Sequence, residues 1–388
     1  MEVDSTQNEY FASYEDLEVH KLMIQDNPRT SAYKEAILSN KEYFKDKVVM
    51  DVGCGTGILS LFCAQAGAKK VYAVEANHIA NLAKEIVKEN NFEDIIEVIH
   101  SKVEDVVLPQ NIKVDAIVSE WMGFYLLHEG MLDSVLAARD KFLKEDGQIF
   151  PESAVIYIAP CSVPALYKQW DNVHGVSMAT FARHLRNNRY HKPEIVTVNP
   201  EDLLASEVAM CFITLKEDKV EDINSFTIQH VISASKPGAY QGLCLWFECF
   251  FPSLSQSREE PQVTLCTGPK SPPTHWKQTV IVLPQEQEVD AGEPIAFQLD
   301  MTRDTQNNRR YNLQLELLNP EKVEHPLPCN CYMTKCILIK TFMQEHPEKG
   351  PESIEKGPED ISDTSEQIVD KTNVVTNNIL EEDAIDDD

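Results

Sequence analysis

The stretch Val48-Val49-Met50-Asp51-Val52-Gly53-Cys54-Gly55-Thr56-Gly57-Ile58-Leu59 decides how this 388-residue chain is read. Its apolar first half reads as a buried parallel strand, and three glycines then lead into the helical pattern Ile58-Leu-Ser-Leu-Phe62. Glycine lets the backbone turn sharply and approach a ligand that a Cβ would exclude. The helix behind it offers unpaired N–H groups and the positive end of its dipole. A second strand, Lys70–Glu75, ends in a carboxylate about 20 residues beyond the first glycine, where nucleotide sites place an acid on ribose hydroxyls.

A glycine-rich turn by itself would also fit a dehydrogenase. Here an Asp leads the turn, and the Gly-x-Gly-x-x-Gly spacing is absent. The stretch resembles the cofactor turn of S-adenosylmethionine-dependent methyltransferases, whose ligand has an amino acid end and no pyrophosphate.

Working outward, strands expected at 47–52, 70–75, 95–99 and 114–119 alternate with helical patterns at 58–66, 78–90 and 129–143. That alternation argues an α/β, doubly wound, Rossmann-like domain. Gly147–Pro151 reads as the next strand leaving the sheet. After Pro151, short β-rich runs recur at Ser153–Ala159, Val208–Leu215, Phe226–Ser233, Leu243–Phe251, Thr279–Leu283, Ile295–Asp300, Tyr311–Leu318 and Cys336–Lys340. Turn clusters separate them, which predicts an antiparallel β-barrel or sandwich. Ala165 to about His191 interrupts them with helical spacing and the aromatics Tyr167, Trp170 and Phe181, an arm that docks on something. Ahead of the sheet, Val19, Met23 and Ile24 fit an amphipathic helix ended by Pro28, and Ser31–Leu38 suggests another. The expected division is an N-terminal helical segment (1–30), the Rossmann-like domain (31–151), a β-barrel with the arm (152–343) and a tail (344–388). From Glu345 onward 15 acidic residues face three lysines, a composition that predicts disorder.

Composition narrows the function. A net charge of −28 argues against general nucleic-acid binding and favours a basic partner. No apolar run is long enough to span a bilayer, and Met1–Asp4 carries no basic region before an apolar core. The ten cysteines are scattered, several within apolar runs, which fits a reduced compartment, cytoplasm or nucleus. Cys329-x-Cys331 followed by Cys336, with His325 nearby, matches no common zinc spacing, so no metal is expected.

Two carboxylates bracket the loop Ser119-Glu120-Trp121-Met122-Gly123-Phe124-Tyr125-Leu126-Leu127-His128-Glu129. Glu120 falls where the fourth strand ends, the edge at which open α/β sheets bind ligands. Two acids facing one cavity repel unless a cation lies between them, and a planar guanidinium fits carboxylates in a way an ammonium does not. Beside a methyl-donor turn, the pattern points to arginine as acceptor.

Tyr10-Phe-x-Ser-Tyr14, Asp51–Gly57, Ser119–Gly123 with Glu129, and Thr274-His275-Trp276 together resemble the protein arginine N-methyltransferases, from about residue 9 to 341. The resemblance implies a cofactor domain, a β-barrel and a helical dimerisation arm in a head-to-tail homodimer. It implies S-adenosylmethionine as donor and S-adenosylhomocysteine as product. It further implies that Asp51, Gly53 and Gly55 line the cofactor turn, with His20 also at the cofactor. Arg29 would pair with the cofactor's carboxylate, Glu75 hold the ribose and Glu104 face the adenine. Glu120 and Glu129 would clamp the substrate guanidinium. Asp26 and His275 would form a dyad at the edge of the site, closed by Tyr14 and Trp276. Met23 and Met131 match residues that in this family permit a second methyl on the same nitrogen, which implies asymmetric dimethylarginine. Substrates would be basic proteins such as histones and Arg/Gly-rich RNA-binding proteins, with no membrane and no direct nucleic-acid binding. The chain departs from the family pattern at Lys21-Leu22 after His20, at Gly130, and in its acidic tail. A cofactor-binding scaffold without activity and a small-molecule methyltransferase remain as alternatives.

Overall fold

The computed structural model describes Tyr14 and residues 16–189, 192–254, 261–346 and 374–377. Helix α1 (Leu17–Gln25) ends at Asp26, and α2 (Asn27–Ser39) begins there, followed by the short α3 (Lys41–Phe44). Asp26 serves both helices: its backbone N–H closes α1 on Leu22 O, and its carboxylate accepts the Arg29 N–H as N-cap of α2. Pro28 lies in the first turn of α2, where its missing N–H costs nothing, so it opens this helix as well as following the last.

Five strands then build a wholly parallel sheet: β1 (Val48–Val52), β2 (Lys70–Glu75), β3 (Ile96–His100), β4 (Val114–Val118) and β5 (Leu143–Phe150). Their order is β3-β2-β1-β4-β5, so the winding reverses between β1 and β4. Helices α4 (Ile58–Gln65), α5 (Ile79–Glu89) and α6 (Leu132–Phe142) connect them. β1, β2 and β4 are almost wholly buried, which is why they read as continuous apolar runs.

Beyond Pro151 the chain makes two antiparallel sheets, the β-barrel domain. One holds β6 (Ser153–Cys161), β7 (Glu194–Val196), β8 (Val208–Thr214), β10 (Gly238–Phe250), β11 (Thr264–Cys266) and β12 (Gln278–Val289). The other holds β9 (Ser225–Ser233), β13 (Pro294–Arg303), β14 (Tyr311–Leu317) and β15 (Val374–Asn377). The arm is α7 (Pro164–Tyr167), a single 3₁₀ turn over Lys168–Trp170 and α8 (Ala179–Arg189); His191 lies outside the described residues. Its base is fixed: Tyr167 is buried, donates to Leu283 O at 2.8 Å and lies 3.8 Å beneath the Arg186 guanidinium.

Two expectations fail. Cys336–Lys340 is not a strand but part of helix α9 (Thr334–Glu345), since a short apolar run does not by itself distinguish the two. Nor is the tail uniformly unstructured: α9 runs into it, and the β-branched run Val374-Val375-Thr376 pairs with β14. Residues 347–373 and 378–388 lie outside the described residues, as do Tyr10 to Ser13.

One core joins the parallel sheet to the barrel. Tyr33 of α2 packs edge-on against Phe251 at 4.9 Å, and Phe44 lies 5.0 Å from Phe150. Asn40 bridges the same seam, donating to Pro252 O and accepting from Leu254 N, both at 2.8 Å.

Candidate functional site

At the carboxyl ends of β1 and β4, where the winding reverses, lies a cavity of about 520 Å³. This is the position an open α/β sheet offers a ligand. The glycine turn forms its floor, with φ of +70° at Gly53, +52° at Gly55 and +87° at Gly57. A Cβ on Gly53 would collide with the Met131 methyl, and one on Gly55 would press the His20 ring at 3.3 Å. The turn therefore requires glycine at both places.

Glu75, at the end of β2, fixes this floor. One carboxylate oxygen accepts the Gly55 N–H and the other the Asn77 N–H, each at 2.9 Å. Asp51 lies beneath the turn, fully buried and outside the cavity, a correction to its expected place in the lining. Ser60 Oγ donates to its Oδ2 at 2.6 Å, while Oδ1 has no hydrogen-bond partner among the described residues. Burial pushes its pKa up to about 7, against the pull of the Ser60 hydrogen bonds. Glu104 lines the far wall and accepts from Ser134 Oγ at 2.6 Å.

The two loop acids converge on the same cavity. Glu120 Oε2 accepts from both Nε and Nη2 of Arg29, at 2.9 and 2.8 Å. The Arg29 side chain and the Glu120 carboxylate are both more than nine-tenths buried. Arg29, expected at the cofactor's carboxylate, turns the Nε–Nη2 edge of its guanidinium to Glu120 and also lines the cavity. Glu129 Oε2 accepts from the Tyr14 hydroxyl at 2.5 Å. Burial raises the Glu129 pKa to about 7, with the charge of Glu120 adding to the shift and the Tyr14 bond opposing it.

The loop that carries them is strained. Tyr125, Leu126 and Glu129 have φ of +43°, +73° and +76°, values that cost non-glycine residues free energy. Gly123 sits where any Cβ would strike His128 O. The barrel holds this shape: Glu129 N donates to Arg309 O, and Arg309 Nη1 donates to Glu129 O, both at 2.7 Å. Arg309, in the β13–β14 turn, also lines the cavity. Sequence reasoning passed over it; the only signal was the basic pair Arg309-Arg310 in a polar turn between two strands.

Three expected site residues stand behind the cavity. Trp276 does not close it; the indole is buried, donates to Met122 O at 3.0 Å and packs on Phe247 at 5.2 Å. Its apolar bulk finds core there, and its N–H finds the loop carbonyl. Asp26 and His275 do form a pair, with Nδ1 2.6 Å from Oδ2 and the His275 N–H on the same oxygen at 2.8 Å, yet neither lines the cavity. Burial alone would raise the Asp26 pKa, but these bonds and the Arg29 N–H outweigh it and hold it below the ordinary value. Tyr14, His20, Met23 and Met131 all line the cavity as expected. His20 is buried with Nε2 2.9 Å from Tyr14 O.

Comparison with known proteins agrees with this geometry. Residues 152–320 match the family model of the arginine methyltransferase oligomerization subdomain, and residues 35–150 that of ribosomal protein L11 methyltransferase (PrmA). The chain is 39% identical over 331 residues to a probable protein arginine N-methyltransferase 6.1 of Oryza sativa subsp. japonica, covering 79% of this chain and 84% of the relative. It is 40% identical over 331 residues to protein arginine N-methyltransferase 6 of Danio rerio, covering 81% and 90%. Among solved structures, the Trypanosoma brucei PRMT1 enzyme-prozyme heterotetrameric complex with AdoHcy superimposes with a TM-score of 0.70 at 35% identity, covering 81% of this chain and 98% of that one. A PRMT6-SAH crystal structure gives 0.67 at 28% identity, covering 78% and 100%. With a glycine-turn cofactor half, an oligomerization subdomain and sequence identity shared across both, the chain belongs to the protein arginine N-methyltransferase family.

Proposed function

We propose that the chain methylates guanidino nitrogens of arginine in basic protein segments and forms mono- and then asymmetric dimethylarginine. The donor is S-adenosylmethionine, which when bound supplies an electrophilic methyl on a sulfonium. The site fits it: a cradle that tolerates only glycine lies beside a buried carboxylate at the end of β2. Glu75 and Glu104, which both line the cavity, would accept its hydroxyl and amino hydrogens. His20 covers the Gly55 side of the turn.

The convergence of Glu120 and Glu129 on that cavity carries the reading. Free guanidinium keeps its proton to a pKa of roughly 13.8 and is a poor nucleophile. The two carboxylates hold its positive charge on the side away from the reacting nitrogen, which leaves that nitrogen richer in electrons. Tyr14 fixes one carboxylate and Arg29 the other, so both acids are aimed before substrate arrives. Arg29 already compensates Glu120, but a neutral small-molecule acceptor would bring no cation to the buried Glu129, which disfavours that alternative. Asp26 and His275 act as positioning residues: the pair ties the barrel to the turn from which Arg29 projects.

Met23 and Met131 line the cavity and support the asymmetric product. An unbranched thioether can shift to admit a methyl beside the reacting nitrogen. Assembly as a homodimer through the arm is supported by Val176, Met178 and Phe181, which are 60%, 37% and 45% exposed on it. Such apolar exposure on a projecting element marks an interaction surface. Incubation with labelled donor and an Arg/Gly-rich peptide, followed by mass spectrometry, tests the chemistry. Symmetric dimethylarginine as the only dimethyl product overturns the product class, and an unlabelled peptide overturns the substrate class.

A further inference from the structure

Beside the β12–β13 turn, where Tyr332 N donates to Gly292 O, four side chains that the methyl-transfer site does not use converge. His325, Cys329, Cys331 and Cys336 are all buried, at 7%, 4%, 3% and 2% exposure, and their four ligand atoms lie within 4.8 Å of one another. The His325 Nδ1 is 3.4 Å from Cys329 Sγ, 3.4 Å from Cys331 Sγ and 3.2 Å from Cys336 Sγ. We propose that these residues form a Cys₃His site for a structural zinc ion.

The imidazole is already set as a ligand. Its Nε2 lies 2.8 Å from the Pro320 carbonyl oxygen, which can only accept, so the ring proton sits on Nε2. The Nδ1 lone pair therefore faces the three sulfurs, and a carbonyl behind the ring is the usual support of a metal-bound histidine. The spacing of the atoms agrees as well. Zinc bonds of about 2.3 Å to sulfur and about 2.0 Å to nitrogen in a tetrahedron put sulfur and nitrogen roughly 3.5 Å apart. Cys331 N donates to Cys329 Sγ at 3.5 Å, a backbone bond that orients the sulfur. Cys336 lies in the first turn of α9, so an ion bound there would pin the start of that helix.

The fold gives the ion something to hold. Along the twelve residues of α9, Cys336 is the one buried side chain. The small cluster beneath it consists of Cys329, Cys331 and Cys336 with Met333 at its edge. Three cysteine side chains supply little apolar area to fix a helix, whereas a structural zinc supplies folding free energy directly. On binding, the three thiols release their protons to solvent, and the centre carries a charge of −1 from one Zn²⁺ and three thiolates. The four residues interleave too closely for a common zinc spacing, which is why the sequence alone argues against a metal here.

The test uses the full chain, purified under reducing conditions without chelator, and measures metal by inductively coupled plasma mass spectrometry. The expected result is one zinc per chain, lost in Cys336→Ser and in His325→Ala. Reloading the chelated wild-type protein with Co²⁺ should give the intense visible bands and thiolate charge transfer of a tetrahedral sulfur-rich site. That measurement needs no variant and stands if a variant fails to fold. Chelation should also open α9 to trypsin at Lys335 and Lys340. A protein that carries no zinc and takes up neither Zn²⁺ nor Co²⁺ when reduced overturns the site. So does zinc that survives both substitutions, or a disulfide found among the three cysteines. Unchanged trypsin cleavage after chelation overturns the holding role.

Discussion

Arg29 meets Glu120 with one edge of its guanidinium, Nε and Nη2 together on a single oxygen, Oε2. Among the described residues the second oxygen, Oε1, accepts only the Met122 N–H, at 3.2 Å. The chain thus presents one carboxylate already matched to a guanidinium, with capacity left for another. Because the fork geometry cannot be reproduced by an ammonium, Arg29→Lys should lower kcat/KM by about 10- to 100-fold. Steady-state kinetics check this, with circular dichroism confirming the fold.

Glu129→Gln keeps the shape of the second carboxyl and its bond to Tyr14 while removing its charge. Donor binding by calorimetry should persist, and kcat should fall on the order of 10²- to 10³-fold. The raised pKa of Glu129 gives a second readout. Below about 7 the carboxyl is protonated and attracts a guanidinium poorly, so kcat/KM of the wild type should fall as pH drops through that value. In Glu129→Gln the limb should disappear.

Asp51 offers a test on stability. Its folded pKa of about 7 lies above the ordinary 3.8, so the folded state holds the proton more tightly than the unfolded chain. The stability this contributes is full below 3.8 and is lost as pH rises through about 7. Asp51→Asn stays neutral and keeps an acceptor for Ser60. It should melt several degrees above the wild type at pH 8 and close to it at pH 5, measured without ligands by calorimetry.

Met23→Phe should narrow the space beside the reacting nitrogen. The first transfer should continue at a comparable rate, while the product shifts from asymmetric dimethylarginine toward monomethylarginine. Mass spectrometry of the peptide decides it; an unchanged product spectrum shows that Met23 is not the controlling wall.

How far the sequence reaches depends on the range of the interaction. The parallel sheet was legible because each buried strand is a continuous apolar run and each helix repeats every three or four residues. The three-residue strands β7 and β11 carry too little pattern to be seen. The glycine turn and the two loop acids were legible because their members are close in the chain. Trp276, expected to close the site, is buried behind it instead: a sequence shows that an indole needs a partner but not where that partner lies. Arg309 reaches Glu129 across 180 residues and meets its backbone there, so nothing in the identity of Glu129 points to its partner.

That last contact sets the grain of the molecule. The backbone of Glu129 sits at φ +76°, and both its N–H and its carbonyl end on Arg309. An α/β half produced by itself would lack the brace that holds one of its own acids in place. The boundary near Pro151 separates two folds without separating two working parts. Exchanging the β13–β14 turn between relatives should accordingly retune catalysis with no change inside the cofactor domain.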